Sequence, residues 1–139
     1  MLIGIYRHSL DAKKRMRIPS KFKSEIGSDF VIAKGDSKNL LVFSKDEFQI
    51  IYDKIKSIPV FDEEAQKPAR KFLASAFNLE EDAQGRVILP KELCAFAGIT
   101  KEIVFVGLGN RVEIWSEDNW AAFDEDKDVS LSVLGGLGI

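Results

Sequence analysis

An internal repeat constrains this chain more than any other feature. The segment Leu10 to Gly27 (LDAKKRMRIPSKFKSEIG) returns as Glu81 to Gly98 (EDAQGRVILPKELCAFAG). At an offset of 71, Asp11 matches Asp82, Arg15 matches Arg86, Pro19 matches Pro90 and Gly27 matches Gly98. With one inserted residue the register continues at 72, pairing Gly35 with Gly107, Phe43 with Trp115, Ser44 with Ser116, Asp46 with Asp118 and Phe48 with Trp120. Two copies are too few for a solenoid. A chain of 139 residues also fits the prior of roughly 100–200 residues for one domain. The copies are therefore expected to pack as halves of one pseudo-symmetric domain.

Each copy reads as short elements. Ile3 to Leu10 alternates apolar and polar side chains, which suits a half-buried strand. Asp11-Ala12-Lys13-Lys14 then reads as a turn whose aspartate accepts backbone N–H groups. In Asp82-Ala83-Gln84-Gly85 the glycine supplies a positive φ, and Lys14 holds that place in the first copy. Lys14 therefore either bears some strain or marks a turn of another type. Arg15-Met16-Arg17-Ile18 resumes the alternation, with Met16 and Ile18 inward and both arginines outward. Pro19 and Pro90 suit the first position of short helices that Gly27 and Gly98 close. Two apolar strands follow in each copy, Phe30–Ala33 and Leu40–Phe43, then Ile103–Val106 and Val112–Trp115. Ser44-Lys45-Asp46-Glu47 has the spacing of a capping box, and Ser116 opens the equivalent helix with Asn119 in place of the acid. The expected organisation is a first repeat over 1–56, a linker over 57–71 with one short helix broken or restarted at Pro68, and a second repeat over 72–123. An acidic, then Gly-rich tail over 124–139 is expected without order.

Charge is divided unevenly along the chain. The net charge of −2 conceals seven basic residues against Asp11 alone in residues 1–23, a local +6. Residues 112–139 hold seven acids against Lys127, a local −6. A polyanion senses such a local surface, not the average. One cysteine, Cys94, excludes an internal disulfide and suits a reducing cytoplasm. One histidine, His8, leaves no partner for a catalytic triad or a His-rich metal centre. No apolar run approaches the ~18–20 residues of a membrane span, and no secretory signal opens the chain. No catalytic residues, metal ligands, cofactor or small-molecule substrate are expected.

The paired turns, Leu10-Asp11-Ala12-Lys13-Lys14-Arg15 with Ile18-Pro19 and Asp82-Ala83-Gln84-Gly85-Arg86 with Leu89-Pro90, carry a family resemblance. Together with the run Val106 to Trp115 and the terminal Leu137-Gly138-Ile139, they resemble the MraZ family of bacterial transcription regulators. The likeness covers nearly the whole chain, and Lys14 departs from the usual glycine. It implies a mainly β fold with short helices (α+β), a swapped-hairpin AbrB/SpoVT unit made twice into a double-psi-barrel-like domain. It also implies a cytoplasmic, nucleoid-associated repressor that binds repeated promoter boxes of its own division and cell-wall gene cluster as a closed ring of copies. By position, the DNA-contacting arginines carry over to Arg15 and, less directly, Arg86.

The residues make a physical case of their own. Arg15 just after a hairpin turn can reach a guanine edge while Lys13, Lys14 and Arg17 hold phosphates. The alternative is that Asp11 with Arg15, and Asp82 with Arg86, only staple their own turns, with Gly85 shaping the second. Extra cations favour DNA contact in the first copy, and Glu80, Glu81 and Asp82 favour stapling in the second. Two other classes compete. An antitoxin-like protein would bind DNA similarly and a protein partner through its tail, for which Leu131 to Leu134 is a thin candidate. A small β-barrel enzyme would need a base–nucleophile pair, which no spacing in the chain supplies.

Overall fold

The computed structural model describes residues 1–139. The first repeat supplies β1 (Ile5–Ser9), β2 (Arg15–Met16), α1 (Ser20–Ile26), β3 (Asp29–Lys34), β4 (Leu40–Ser44) and α2 (Lys45–Lys56). A helix α3 (Glu63–Ala74) leads into the second repeat. That repeat is built from β5 (Phe77–Glu80), β6 (Val87–Ile88), α4 (Lys91–Ala97), β7 (Glu102–Gly107), β8 (Val112–Ser116) and α5 (Glu117–Asp124). A 3-10 helix, Leu131–Leu137, ends the chain.

The repeats interlock strand by strand. One antiparallel sheet has the order β1-β7-β8-β4-β3-β5, and a separate ribbon pairs β2 with β6. Thus β1 of the first repeat pairs with β7 of the second, and β5 of the second pairs with β3 of the first. Each repeat has given its first strand to the other. Leu41 faces Glu113 in the central β4–β8 pair, and Met16 faces Val87 in the ribbon. Both pairs join equivalent positions, so the pseudo-two-fold axis passes through them. The fold is mainly β with short helices, built as a swapped-hairpin tandem repeat.

The registers correct the repeat alignment. β3 matches β7 at an offset of 73 (Asp29 with Glu102), while β4 matches β8 at 72 (Leu40 with Val112). The second copy therefore has two extra residues before β7 and one fewer in its hairpin turn. Gly107 is the counterpart of Lys34, not of Gly35.

One apolar cluster joins the repeats. Phe22, Phe30, Ile32, Leu40 and Val42 from the first pack with Leu89, Leu93, Ile103, Phe105 and Ile114 from the second. Pro19 and Pro90 stand at the N-caps of α1 and α4, one position earlier than expected, and Gly98 closes α4 in the left-handed region. Only half of the capping box forms: Ser44 Oγ accepts the Glu47 N–H at 3.2 Å, and Glu47 does not reach back. Pro68 neither breaks nor restarts the linker helix, because α3 runs through it. The carbonyl deprived of a partner is that of Glu64, an exposed residue in the first turn where water can take the bond. Asp62 caps the helix by accepting the Ala65 N–H at 3.2 Å. In the tail, where no order was expected, the chain turns after α5 and forms the 3-10 helix, with no buried residue.

The N-terminal arm crosses the end of β7. Gly107 N–H donates to Gly4 at 2.8 Å, Gly109 N–H donates to Leu2 at 2.9 Å, and a Cβ on Gly107 would lie 2.4 Å from the Ile3 nitrogen. Gly107→Ala is expected to destabilise the protein by ~1–3 kcal/mol, the cost of overpacking. Thermal melts of the two proteins check this. Residues 1–58 and 72–123, expressed separately, should each be unfolded, because each lacks the strand its own sheet borrows; a cooperative melt by either fragment would refute the interdependence.

Candidate nucleic-acid interface

The β2–β6 ribbon carries both repeat turns. In each, an aspartate builds the loop. Asp11 Oδ1 accepts the N–H groups of Lys13 and Arg15, both at 2.9 Å, and Asp82 Oδ1 accepts those of Gln84 and Arg86, both at 2.9 Å. The second carboxylate oxygen takes the arginine: Arg15 Nε lies 2.6 Å from Asp11 Oδ2, and Arg86 Nε 2.9 Å from Asp82 Oδ2. Hydrogen bonds from the backbone N–H of Arg15 and Arg86, then from Lys13 or Gln84 and the guanidinium, hold both carboxyls below the usual range near 3.8. Lys14 has φ 60° where Gly85 has φ 75°, and both donate N–H to the turn aspartate's carbonyl at 3.0 Å. The first turn is therefore the same type as the second, with Lys14 bearing the strain.

Stapling is thus present in both copies, including the first, where the cations favoured DNA contact. It does not consume the arginines. Each gives its Nε–H to the aspartate, and the hydrogen bonds within the chain involve neither Nη1 nor Nη2. Each guanidinium is thus held in place with its two outer nitrogens to spare, a fork of donors whose geometry in general suits a guanine edge or a phosphate.

The alternation sorts the ribbon's faces. Met16, Ile18, Val87 and Leu89 are buried, whereas Arg17 and Ile88 point to solvent and Arg15 and Arg86 are partly exposed. Arg15, Arg17 and Arg86 converge with His8, Ser9 and Asp11 on one cleft of about 320 Å³. Arg17 also donates Nε–H to the Gln84 carbonyl at 3.1 Å, tying one turn to the other. Lys13 is exposed beside the cleft. Lys14 is exposed too, but its ammonium reaches the Thr100 carbonyl at 2.5 Å, on the far repeat.

Neighbouring charges bear on the second copy. Lys23 pairs with Glu81, so the acid beside the second turn is offset by a first-repeat cation. His8 packs edge-on against Phe105 at 5.3 Å, and Cys94 is buried with its thiol pushed up by burial. No group of three His, Cys, Asp or Glu side chains gathers to hold a metal ion. No helix is long and apolar enough to cross a membrane.

The roles of two residues escaped the sequence reading. Ile88, 62% exposed, is the counterpart of Arg17 and lies opposite Arg15 in the ribbon. An isoleucine at an outward position of the alternation was the available signal. Asn119 donates Nδ2–H groups to the carbonyls of Ala97 and Lys38 at 3.2 and 3.3 Å, clamping the end of α4 and the β3–β4 turn. Its tertiary partners left no mark in local sequence.

A swapped-hairpin repeat whose ribbon presents paired, aspartate-clamped arginines defines a class of tandem-repeat β-ribbon proteins. A family profile described as "MraZ protein, putative antitoxin-like" matches residues 1–71 and again 72–133. A protein named transcriptional regulator MraZ from Caldanaerobacter subterraneus is 42% identical over 134 residues, 96% of this chain and 94% of the relative. Its namesake from Clostridium beijerinckii is 39% identical over the full length of both, and that from Carboxydothermus hydrogenoformans 44% over 86% of this chain and 84% of its own. The chain belongs to the MraZ family of transcriptional regulators.

The clamps set an acid dependence. Asp11 and Asp82 are charged and bonded in the fold, with pKa values below those of the unfolded chain, so their stabilisation is complete well above pH 3.8. It is lost as pH falls through the lower, folded-state values. Asp11→Asn with Asp82→Asn should lower Tm at pH 7 and flatten its decline below about pH 4. Melting curves across pH 2.5–7 provide the measurement; an unchanged acid slope would show that the clamps carry no linkage.

Proposed function

We propose that this regulator binds double-stranded DNA through the outer face of the β2–β6 ribbon. The observation that carries the reading is the convergence of Arg15, Arg17 and Arg86 on one cleft beside Lys13. A two-stranded ribbon fits the major groove, which is about 12 Å wide. Arg15 offers its fork to a guanine edge, Lys13 and Arg17 neutralise phosphates, and Ile88 can contact a thymine methyl. Lys14 contributes charge from its Thr100 anchor, and Arg86 supports the cleft from the second turn. Asp11, Asp82 and Gly85 shape the turns and do not touch DNA.

The family resemblance extends this to a nucleoid-associated repressor acting on repeated boxes upstream of its own division and cell-wall gene cluster. Physical arguments favour a ring of copies. One cationic ribbon on a chain of net charge −2 binds weakly at physiological salt, and several ribbons on one rim engage tandem boxes together. The outer edges of β1 and β5 are also unpaired, with Ile5 and Phe77 partly exposed in them, as edge strands awaiting cover would be.

Arg15→Ala is expected to cost ~1–3 kcal/mol per engaged site and to relax sequence preference. Lys13→Ala should weaken binding to all sequences alike and reduce the salt slope by about one unit per lost phosphate contact. Arg86→Ala should weaken binding less and lower Tm more. The assay is salt-titrated binding to the upstream region, with a footprint to locate the boxes and circular dichroism to verify folding. If Arg15→Ala binds normally while a well-folded Arg86→Ala does not, the roles are reversed.

A further inference from the structure

The sheet face away from the ribbon carries a groove of about 590 Å³. Phe43 and Trp115 floor it, Phe72 of α3 walls one side, and Trp120 and Phe123 of α5 wall the other. The pseudo-two-fold explains why it is open. In the first repeat α2 is followed by α3, which lies against the sheet and brings Phe72 to 6.3 Å from Phe48. In the second repeat α5 is followed only by the 3-10 helix, which buries nothing. The segment that corresponds to α3 is the one left without a partner.

That segment has a shape suited to the groove. With three residues per turn, Leu131, Leu134 and Leu137 fall on one edge. They are 79%, 42% and 72% exposed. Ser130 caps the turn by accepting the Ser132 N–H at 3.2 Å, so the edge is already formed. Asp124, Glu125, Asp126 and Asp128 precede it. Lys34 and Arg111 line the groove against Asp36 and Glu113, and an adjoining cleft that shares Lys34, Asp36 and Phe72 adds Lys71. Lys34 and Lys38 lie 4.9 and 5.3 Å from the Phe96 ring centre in that cleft's wall.

We propose that the leucine edge of one copy's C-terminal 3-10 helix seats in the groove between α5 and the α2–α3 pair of a second copy, with its acidic lead-in against the lysine rim. This rests on the ring reading above. Within one chain the tail does not fold back, since every residue from Ala121 to Ile139 is exposed. A ridge and a groove at different places on one molecule make a head-to-tail contact, which generates a ring when its rotation closes and an open filament when it does not.

Both tryptophans of the chain line the groove, so its occupation is visible in their emission. A synthetic peptide of residues 124–139 is titrated into full-length protein carrying Leu131→Ser, Leu134→Ser and Leu137→Ser, which touches no core residue. A saturable blue shift is expected, weakened severalfold by 0.5 M NaCl and at least tenfold by Leu108→Asp at the exposed lip of the groove. Light scattering should give the triple variant a smaller mass than the parent, with both equally folded by circular dichroism. No saturable shift, or one indifferent to Leu108→Asp, overturns the contact and leaves the groove to another occupant. A triple variant that keeps the parent's oligomeric mass sinks this contact alone. A parent that is itself monomeric sinks the ring reading and the second-copy contact together, and a peptide shift would then mean the tail closes its own groove.

Discussion

Backbone hydrogen bonding between repeats is the constraint on which the rest depends. A strand's N–H and C=O groups must find partners, and in this chain β1 and β5 find them only in the opposite repeat. The exchange forces the two halves to fold together. It also aligns β4 beside β8 on the axis, which makes one six-stranded sheet out of two three-stranded pieces. Between each donated strand and its own repeat the chain must pass through a turn and a short strand. These meet as β2 and β6 on the same axis, so the ribbon is a consequence of the exchange. The arginines become neighbours because the hairpins are swapped.

The clamped turns then convert that topology into a surface. An arginine on a free loop would lose rotamer entropy on binding, of the order of 2 kcal/mol for a long charged side chain. Here Asp11 and Asp82 fix the Nε end of each guanidinium in advance and leave the outer nitrogens without a partner in the chain. The same carboxylate that orders the loop through two backbone N–H groups orders the side chain. That economy requires a residue in the left-handed region at the third position after the aspartate. Gly85 takes it freely, while Lys14 takes it with strain and uses its long side chain to reach Thr100 across the repeat boundary.

Legibility in the sequence followed the range of each interaction. The helices α1 and α4, bounded by proline and glycine, and the alternation that buries Met16 and Ile18 are written within a few residues of one another, and the structure has them. The repeat announced pseudo-symmetry. Which strand pairs with which repeat came only through the family resemblance, since alternation marks a half-buried strand without naming its neighbour. The insertion of two residues before β7, offset by a shorter hairpin, was invisible because a net difference of one was all that the flanking matches could register. Pro68 was misjudged because its cost depends on whether Glu64 faces water, a tertiary property. The Asp11–Arg15 pair was legible as two alternatives, clamp or ligand contact, and the geometry removes the opposition between them. Ile88 was missed because a lone apolar residue in a short strand defaults to the core.

The unequal evolution of two equivalent faces separates what the fold needs from what a ligand needs. The aspartate–arginine clamp persists in both turns, with nearly the same distances. The cations around it do not: Arg17 becomes Ile88, Lys13 becomes Gln84 and Lys14 becomes Gly85. If the clamp existed only to present arginine to an anion, the second copy could have lost it along with its cations. Its retention there follows from the ribbon, which cannot close unless both turns hold their strands in register. The surplus charge in the first copy has less structural duty: Lys13 lies exposed with no side-chain partner, and Arg17, exposed too, spends one N–H on the Gln84 carbonyl and keeps the rest of its guanidinium free. Free surface cations cost self-repulsion in a +6 segment and are stabilised by an external polyanion. The ribbon is therefore symmetric in the clamps that hold its turns and asymmetric in the cations on its outer face.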